Sequence, residues 1–212
     1  MNVLFIGNSF TQRNNLPDLV ARMAEAAGEH LEHELLSIGG ASLRTHWNKG
    51  EATKRIEKGG FDFVVLQEQS TLPIKNPARM RENVLLFDGV IKHEKSHTAL
   101  YLTWARAHAP ESQTKLTNAY SSVGKEIGAT IIPAGVAWEK ALSDPKHPVL
   151  HDKDGSHPTL AGSYLAACTA LEALFKLNPI GNDAAIADLS DADRKFLQKA
   201  AHSVALRKSG KH

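Results

Sequence analysis

The chain opens MNVLFIGNSF (residues 1–10), an apolar run that stops at Gly7 and presents Asn8, Ser9 and Phe10 to whatever follows. Residues 2–6 are too few for a helix and end on a glycine, so they predict a buried strand. Four similar β-rich runs recur at 33–38, 61–67, 98–103 and 130–133. Between them, segments 16–28, 43–58, 77–92 and 111–128 space their apolar residues as amphipathic helices with polar flanks. Strands alternating with helices, joined by right-handed crossovers, predict an α/β fold: a three-layer α/β/α sandwich around a parallel five-stranded sheet.

Beyond the fifth strand, 137–143 reads as a short helix and 144–157, rich in Pro, His, Asp and Gly, as a loop. A strongly apolar helix follows, with Pro158 near its first turn, where a missing N–H costs nothing, and continues to Leu177. A polar connection then leads to Ser190-Asp191-Ala192-Asp193, a capping-box-like start to a last, basic helix. The expected organisation is one domain over 1–212, with 1–178 as core and 179–212 as a C-terminal connection and helix.

The formal charge of +2 is spread through an evenly mixed sequence. No basic stripe of the kind nucleic acid requires is present, and Arg207, Lys208 and Lys211 read as a solvated end. No secretory signal or bilayer-spanning apolar segment is visible, so a soluble cytoplasmic protein without nucleic-acid or membrane partners is expected. The lone cysteine, Cys168, lies in an apolar stretch and reads as a packed thiol.

One motif is a decoy. His93-Glu94-Lys95-Ser96-His97 satisfies HExxH, but zinc binding needs both histidines on one face of a helix, and this segment lies where a helix gives way to a strand. His30, His33, His147, His151 and His157 also lack a ligand set with Cys or Asp partners. No metal and no cofactor are expected.

Ser9 is the more consequential residue. By itself it is as good a helix cap as a nucleophile. In an open parallel sheet, however, functional groups gather beyond the carboxyl ends of the strands. Ser9 follows the first strand, Gly39-Gly40 the second, Gln67-Glu68-Gln69 the third, and Asp154 and His157 lie in the loop after the fifth. A serine hydroxyl becomes a nucleophile when a histidine oriented by a carboxylate takes its proton. Asp154 and His157 are spaced to share one turn. The N–H groups of Ser9 and Gly40, with the side-chain amide of Gln69, form an inventory of oxyanion donors.

These residues resemble the four blocks of the SGNH hydrolases, the GDSL-like lipases and esterases. Ile6-Gly7-Asn8-Ser9-Phe10 matches the nucleophile block, Ser37-Ile38-Gly39-Gly40-Ala41-Ser42 the glycine block, and Asp154-Gly155-Ser156-His157 the last block. The third block departs: Val64-Val65-Leu66-Gln67-Glu68-Gln69-Ser70 stands where most relatives have Gly-x-Asn-Asp. With Thr103-Trp104-Ala105-Arg106 it resembles a subgroup near the carbohydrate and sialate O-acetylesterases. The resemblance implies a flavodoxin-like sheet in the order 2-1-3-4-5 and ester hydrolysis through an acyl-serine. Ser9 would be the nucleophile, His157 the base, Asp154 its orienting partner, and Ser9, Gly40 and Gln69 the oxyanion hole. Gln67 competes with Gln69 for the donor role, with register favouring Gln69. Glu68 pairs with Arg44, Arg79 or Arg106, or orients Gln69. Phe10 and Trp104 are candidate pocket walls, Trp104 reading equally well as core, and Arg106 either binds a substrate carboxylate or makes a surface pair, the surface reading being favoured. The expected substrate is a small ester, acetyl on a carbohydrate. The rivals are a thioester or lysophospholipid substrate for the same residues, and a non-catalytic flavodoxin-like binding domain.

Overall fold

The computed structural model describes the backbone of residues 1–209 and the side chains of residues 1–205. The basic residues Arg207, Lys208 and Lys211 fall outside the described side chains. Five strands, β1 (Asn2–Gly7), β2 (Glu32–Ser37), β3 (Phe63–Leu66), β4 (His97–Tyr101) and β5 (Thr130–Ile132), form one sheet in the order β2-β1-β3-β4-β5. Every neighbouring pair is parallel. The register sets Phe5 beside Leu35 and Val65, and Ile6 beside Leu36 and Leu66.

Because side chains alternate across a strand, the central strand feeds two cores. Val3 and Phe5 join Val65, Ala99 and Tyr101 on one face, under α2 (Leu16–Ala26), α8 (Ala134–Leu142), α9 (Leu160–Phe175) and α10 (Asp191–Ser209). Leu4 and Ile6 join Val64, Leu66 and Leu100 on the other, under α3 (Leu43–Lys49), α4 (Glu51–Glu57), α6 (Pro77–His93) and α7 (Gln113–Ile127). The three layers expected from the alternation are therefore present. Cys168 is a buried member of the first core.

Several boundaries differ from expectation, each for a local reason. The single helix expected over 43–58 is broken at Gly50, whose φ of +72° ends α3 while its N–H donates to the His46 and Trp47 carbonyls. Beyond the break, Ala52 and Ile56 are buried about half a turn out of phase with Leu43, a shift that one continuous helix would not allow. The helix starting at Pro158 begins instead at Leu160: Thr159 is the cap, its Oγ1 accepting from the Gly162 N–H, and Pro158 is bridged to His151. Helix α8 starts at Ala134, three residues before the expected start at 137. Two one-turn helices, α1 (Ser9–Gln12) and α5 (Leu72–Lys75), are too short to show a period. Ser190 caps α10 as expected, its Oγ accepting from the Asp193 N–H. His93 closes α6 and His97 opens β4, with Lys95 at φ +61° between them, so the HExxH histidines do not share a helix. No described helix is long and apolar enough to cross a membrane.

Candidate active site

The end of β1 is shaped by Gly7. A Cβ there would stand 2.6 Å from both Gln67 Oε1 and Thr11 Oγ1, so only glycine allows this approach. Asn8 then caps α1: its Oδ1 accepts from the Phe10 N–H, its Nδ2 donates to the Ala41 carbonyl, and its N–H donates to Gln67 Oε1. Capping thus falls to Asn8, and Ser9 is left as the first helical residue with its hydroxyl free. Ser9 Oγ lies 2.8 Å from His157 Nε2. The Ser9 N–H, in the first turn, has no intrahelical acceptor.

His157 Nδ1 is hydrogen-bonded to Asp154 Oδ2. Asp154 Oδ1 accepts the N–H groups of Ser156 and His157, each at 2.9 Å. The His157 side chain, followed by these two N–H groups, holds the Asp154 carboxyl well below the usual carboxylate range. The turn is itself anchored, since the Gly155 carbonyl accepts from the Ala107 N–H and the Ser156 carbonyl from Trp104 Nε1.

Trp104 is only 1 % exposed and stacks on Trp138 with ring centroids 3.8 Å apart. Phe10, also buried, lies between Trp104 and the His157 ring, at 5.0 and 5.5 Å. Phe10 was a candidate pocket wall, and Trp104 read equally well as wall or core. The aromatic faces of both are engaged in packing, and Phe10 backs the His157 ring. Arg106 was expected to form a surface pair, yet it makes no ion pair among the described residues and its Nε is buried.

Gly40 follows β2 in a turn at φ +68°, a conformation that glycine takes at least cost, and its N–H meets no acceptor among the described residues. The two glutamines differ sharply. Gln67 is fully buried, with Oε1 accepting from the Asn8 N–H and Thr11 Oγ1 and Nε2 donating to the Glu68 carbonyl. Gln69 Oε1 accepts from the Thr71 N–H at 2.8 Å, the Leu72 N–H at 2.9 Å and Thr71 Oγ1 at 3.0 Å. Three donors identify that atom as the carbonyl oxygen and leave Nε2 as the unengaged end. A groove of about 580 Å³ starts at Gly40 and Gln69 and runs over Ser42, Arg44, Leu72 and Arg79.

Two buried polar residues complete the surroundings. Glu68 accepts the Leu43 and Gln69 N–H groups and Asn83 Nδ2, rather than pairing with an arginine. His46 was not singled out by sequence, since it falls on the helical period of α3 like any core position. Its Nε2 meets the Gly7 carbonyl at 2.8 Å, and burial pulls its pKa below the ordinary value.

No family model matches the chain. No curated protein matches its sequence either. Solved structures do resemble it. A DUF4886 family protein from Bacteroides uniformis is 23% identical, with a TM-score of 0.80 over 100% of this chain and 97% of its own. A protein from Slackia heliotrinireducens, provisionally designated an SGNH hydrolase, is 26% identical, with a TM-score of 0.68 over 82% of this chain and 98% of its own. An acetyl-xylooligosaccharide esterase from Geobacillus is 16% identical, with a TM-score of 0.63 over 81% of this chain and 92% of its own. The parallel sheet in the order 2-1-3-4-5 and the likeness to these structures show that the chain has the α/β/α sandwich fold of the SGNH hydrolases.

Proposed function

We propose that the chain is a serine esterase acting on small-molecule esters, acetyl groups on a carbohydrate or related metabolite, without a metal or cofactor. The observation that carries this reading is the line from Ser9 Oγ to His157 Nε2 at 2.8 Å, continued from His157 Nδ1 to Asp154. Ser9 attacks the ester carbonyl as His157 takes its proton, and Asp154 holds the imidazole tautomer and the imidazolium that forms. The tetrahedral oxyanion is received by the N–H groups of Ser9 and Gly40 and by Gln69 Nε2. His157 then protonates the departing alcohol, leaving an acyl-serine. A water molecule, deprotonated by His157, releases the acid and restores Ser9.

A small acyl group is favoured by the groove beside Gly40 and Gln69, in which Leu72 is the one large apolar side chain among Ser42, Arg44, Asn48 and Arg79. A long acyl chain, as in a lysophospholipid, needs apolar walls to leave water. The solved structure of an acetyl-xylooligosaccharide esterase with this fold points the same way.

The test is turnover of p-nitrophenyl acetate and of a panel of acetylated sugars by the wild type and Ser9→Ala. The variant is expected to lose about 10⁴-fold or more in kcat. Activity retained by Ser9→Ala sinks the assignment, and a preference for long-chain esters favours the lipid reading. Absence of a fluorophosphonate adduct on Ser9 of the folded wild type favours a non-catalytic binding domain.

A further inference from the structure

We propose that Glu68 is a positioning residue for ester hydrolysis: its buried carboxylate holds together the two loops that carry Gly40 and Gln69. The inference rests on the esterase reading above and extends it to a residue outside the nucleophile, base and oxyanion donors.

Glu68 stands just beyond β3 and is 0 % exposed. One of its oxygens, Oε1, accepts both the Leu43 N–H at 3.0 Å and the Gln69 N–H at 2.7 Å. Leu43 is the first residue of α3, three positions after Gly40, and Gln69 is the other donor arm itself. A single atom therefore ties the backbone of both arms across 25 residues of sequence. The second oxygen accepts Asn83 Nδ2 at 2.8 Å, and Asn83 Oδ1 in turn accepts Arg44 Nε at 3.0 Å. The Glu68 N–H donates to Tyr120 OH. Glu68 forms no ion pair among the described residues.

A carboxylate buried without an ion-pair partner is expensive. What the carboxylate adds is directional: three N–H donors converge on it, and two belong to the arms that must be correctly spaced. Oxyanion donors lower a barrier only when they are fixed before charge develops, and a shift of about 1 Å in such groups costs on the order of 10²-fold in rate. Burial raises the Glu68 pKa, while the bonds from Asn83, Gln69 and Leu43 and the charge of Arg44 act in the opposite direction.

The substitutions Glu68→Gln, Glu68→Asp and Glu68→Leu separate a geometric clamp from a requirement for charge. Glutamine can retain an Oε1 that accepts both backbone N–H groups, whereas aspartate keeps the charge but is one methylene too short to reach Leu43, Gln69 and Asn83 together. Steady-state kinetics on p-nitrophenyl acetate should show kcat falling in the order wild type, Gln, Asp, Leu with little change in KM. The expected losses are at most about tenfold for Gln and about 10²-fold or more for Leu. Melting temperatures of all variants are measured in parallel, because the leucine leaves two buried N–H groups unpaired. If that variant does not fold, the order of the other two decides. Wild-type kcat in folded Glu68→Leu, or Asp outperforming Gln, overturns the positioning role while wild-type activity keeps the esterase reading intact. A wild type with neither turnover nor fluorophosphonate labelling overturns the esterase reading and the clamp with it.

Discussion

At the scale of single residues, the third block shows how two chemically identical side chains are given different work. Gln67 has both ends engaged and lies beneath the Asn8 and Thr11 positions, whereas Gln69 has its carbonyl pinned and its Nε2 unengaged. Gln69→Ala should therefore lower kcat on p-nitrophenyl acetate by about 10²-fold to 10³-fold while leaving the melting temperature unchanged. Gln67→Ala should do the reverse in kind, removing about 1–3 kcal/mol of stability by leaving the buried Asn8 N–H unpaired, as urea unfolding would measure. Equal kinetic losses from the two substitutions would contradict this division. Asp154→Asn keeps the shape of the turn but lets the imidazole adopt the wrong tautomer, so kcat should fall by about 10⁴-fold, with Ser9 labelling slowed in parallel. The sequence could present Ser9, Asp154 and His157 as candidates because their types and strand-end positions are local facts. It could not separate cap from nucleophile at Asn8 and Ser9, since that depends on bonds from Asn8 to Ala41 and Gln67, 33 and 59 residues away.

At the scale of elements, Gly50 is a clean case of backbone conformation acting without packing. It sits at φ +72° between α3 and α4, and a Cβ there would meet nothing within 4 Å. Gly50→Ala should cost about 1 kcal/mol through the left-handed backbone alone, read as a lowered urea midpoint with esterase kinetics unchanged. A stabilised variant would mean that the two helices prefer to fuse. The same junction marks the limit of periodicity as a guide. The sheet, its five strands and the large helices were legible because each buries a regular stripe, and the strand that opens the chain shows it most clearly, with Val3 and Phe5 in one core and Leu4 and Ile6 in the other. One-turn helices such as α5 carry no period. Strand ends depend on partners: β3 is Phe63–Leu66 rather than the expected 61–67, because its ladder with β1 covers only those four residues. Trp104 was ambiguous for the same reason, as only its stacking on Trp138, brought in by α8, consumes the face that a pocket would use.

At the scale of the whole molecule, proton linkage gives the fold a pH dependence whose sign follows from one buried and one half-buried histidine, His46 and His151. His46, on α3, faces the Gly7 carbonyl with Glu51 and Lys49 nearby, and His151 faces the Ala105 carbonyl near Asp154 and His147. Desolvation is the leading cause in both, and it lowers each pKa below the ordinary 6.5. A folded state that resists protonation binds fewer protons than the unfolded chain once pH drops below that value. Their contribution is therefore complete above pH 6.5 and is lost as pH falls toward the depressed folded values. Asp154 adds a second loss at lower pH, as its depressed carboxyl begins to protonate in the unfolded chain near 3.8. Glu68 acts in the opposite sense, because burial raises its pKa and acid relieves a buried charge. The melting temperature should thus decline from pH 7 to pH 5 at constant ionic strength. His46→Gln supplies the test, since a glutamine Nε2 can reach the Gly7 carbonyl as the imidazole does but does not titrate. The variant's decline across that interval should be shallower than the wild type's, with His151 accounting for part of what remains. An unchanged slope would show that His46 takes up its proton in the fold at the same pH as in the unfolded chain, against the direction set by its burial beside the carbonyl of Gly7, two residues before Ser9.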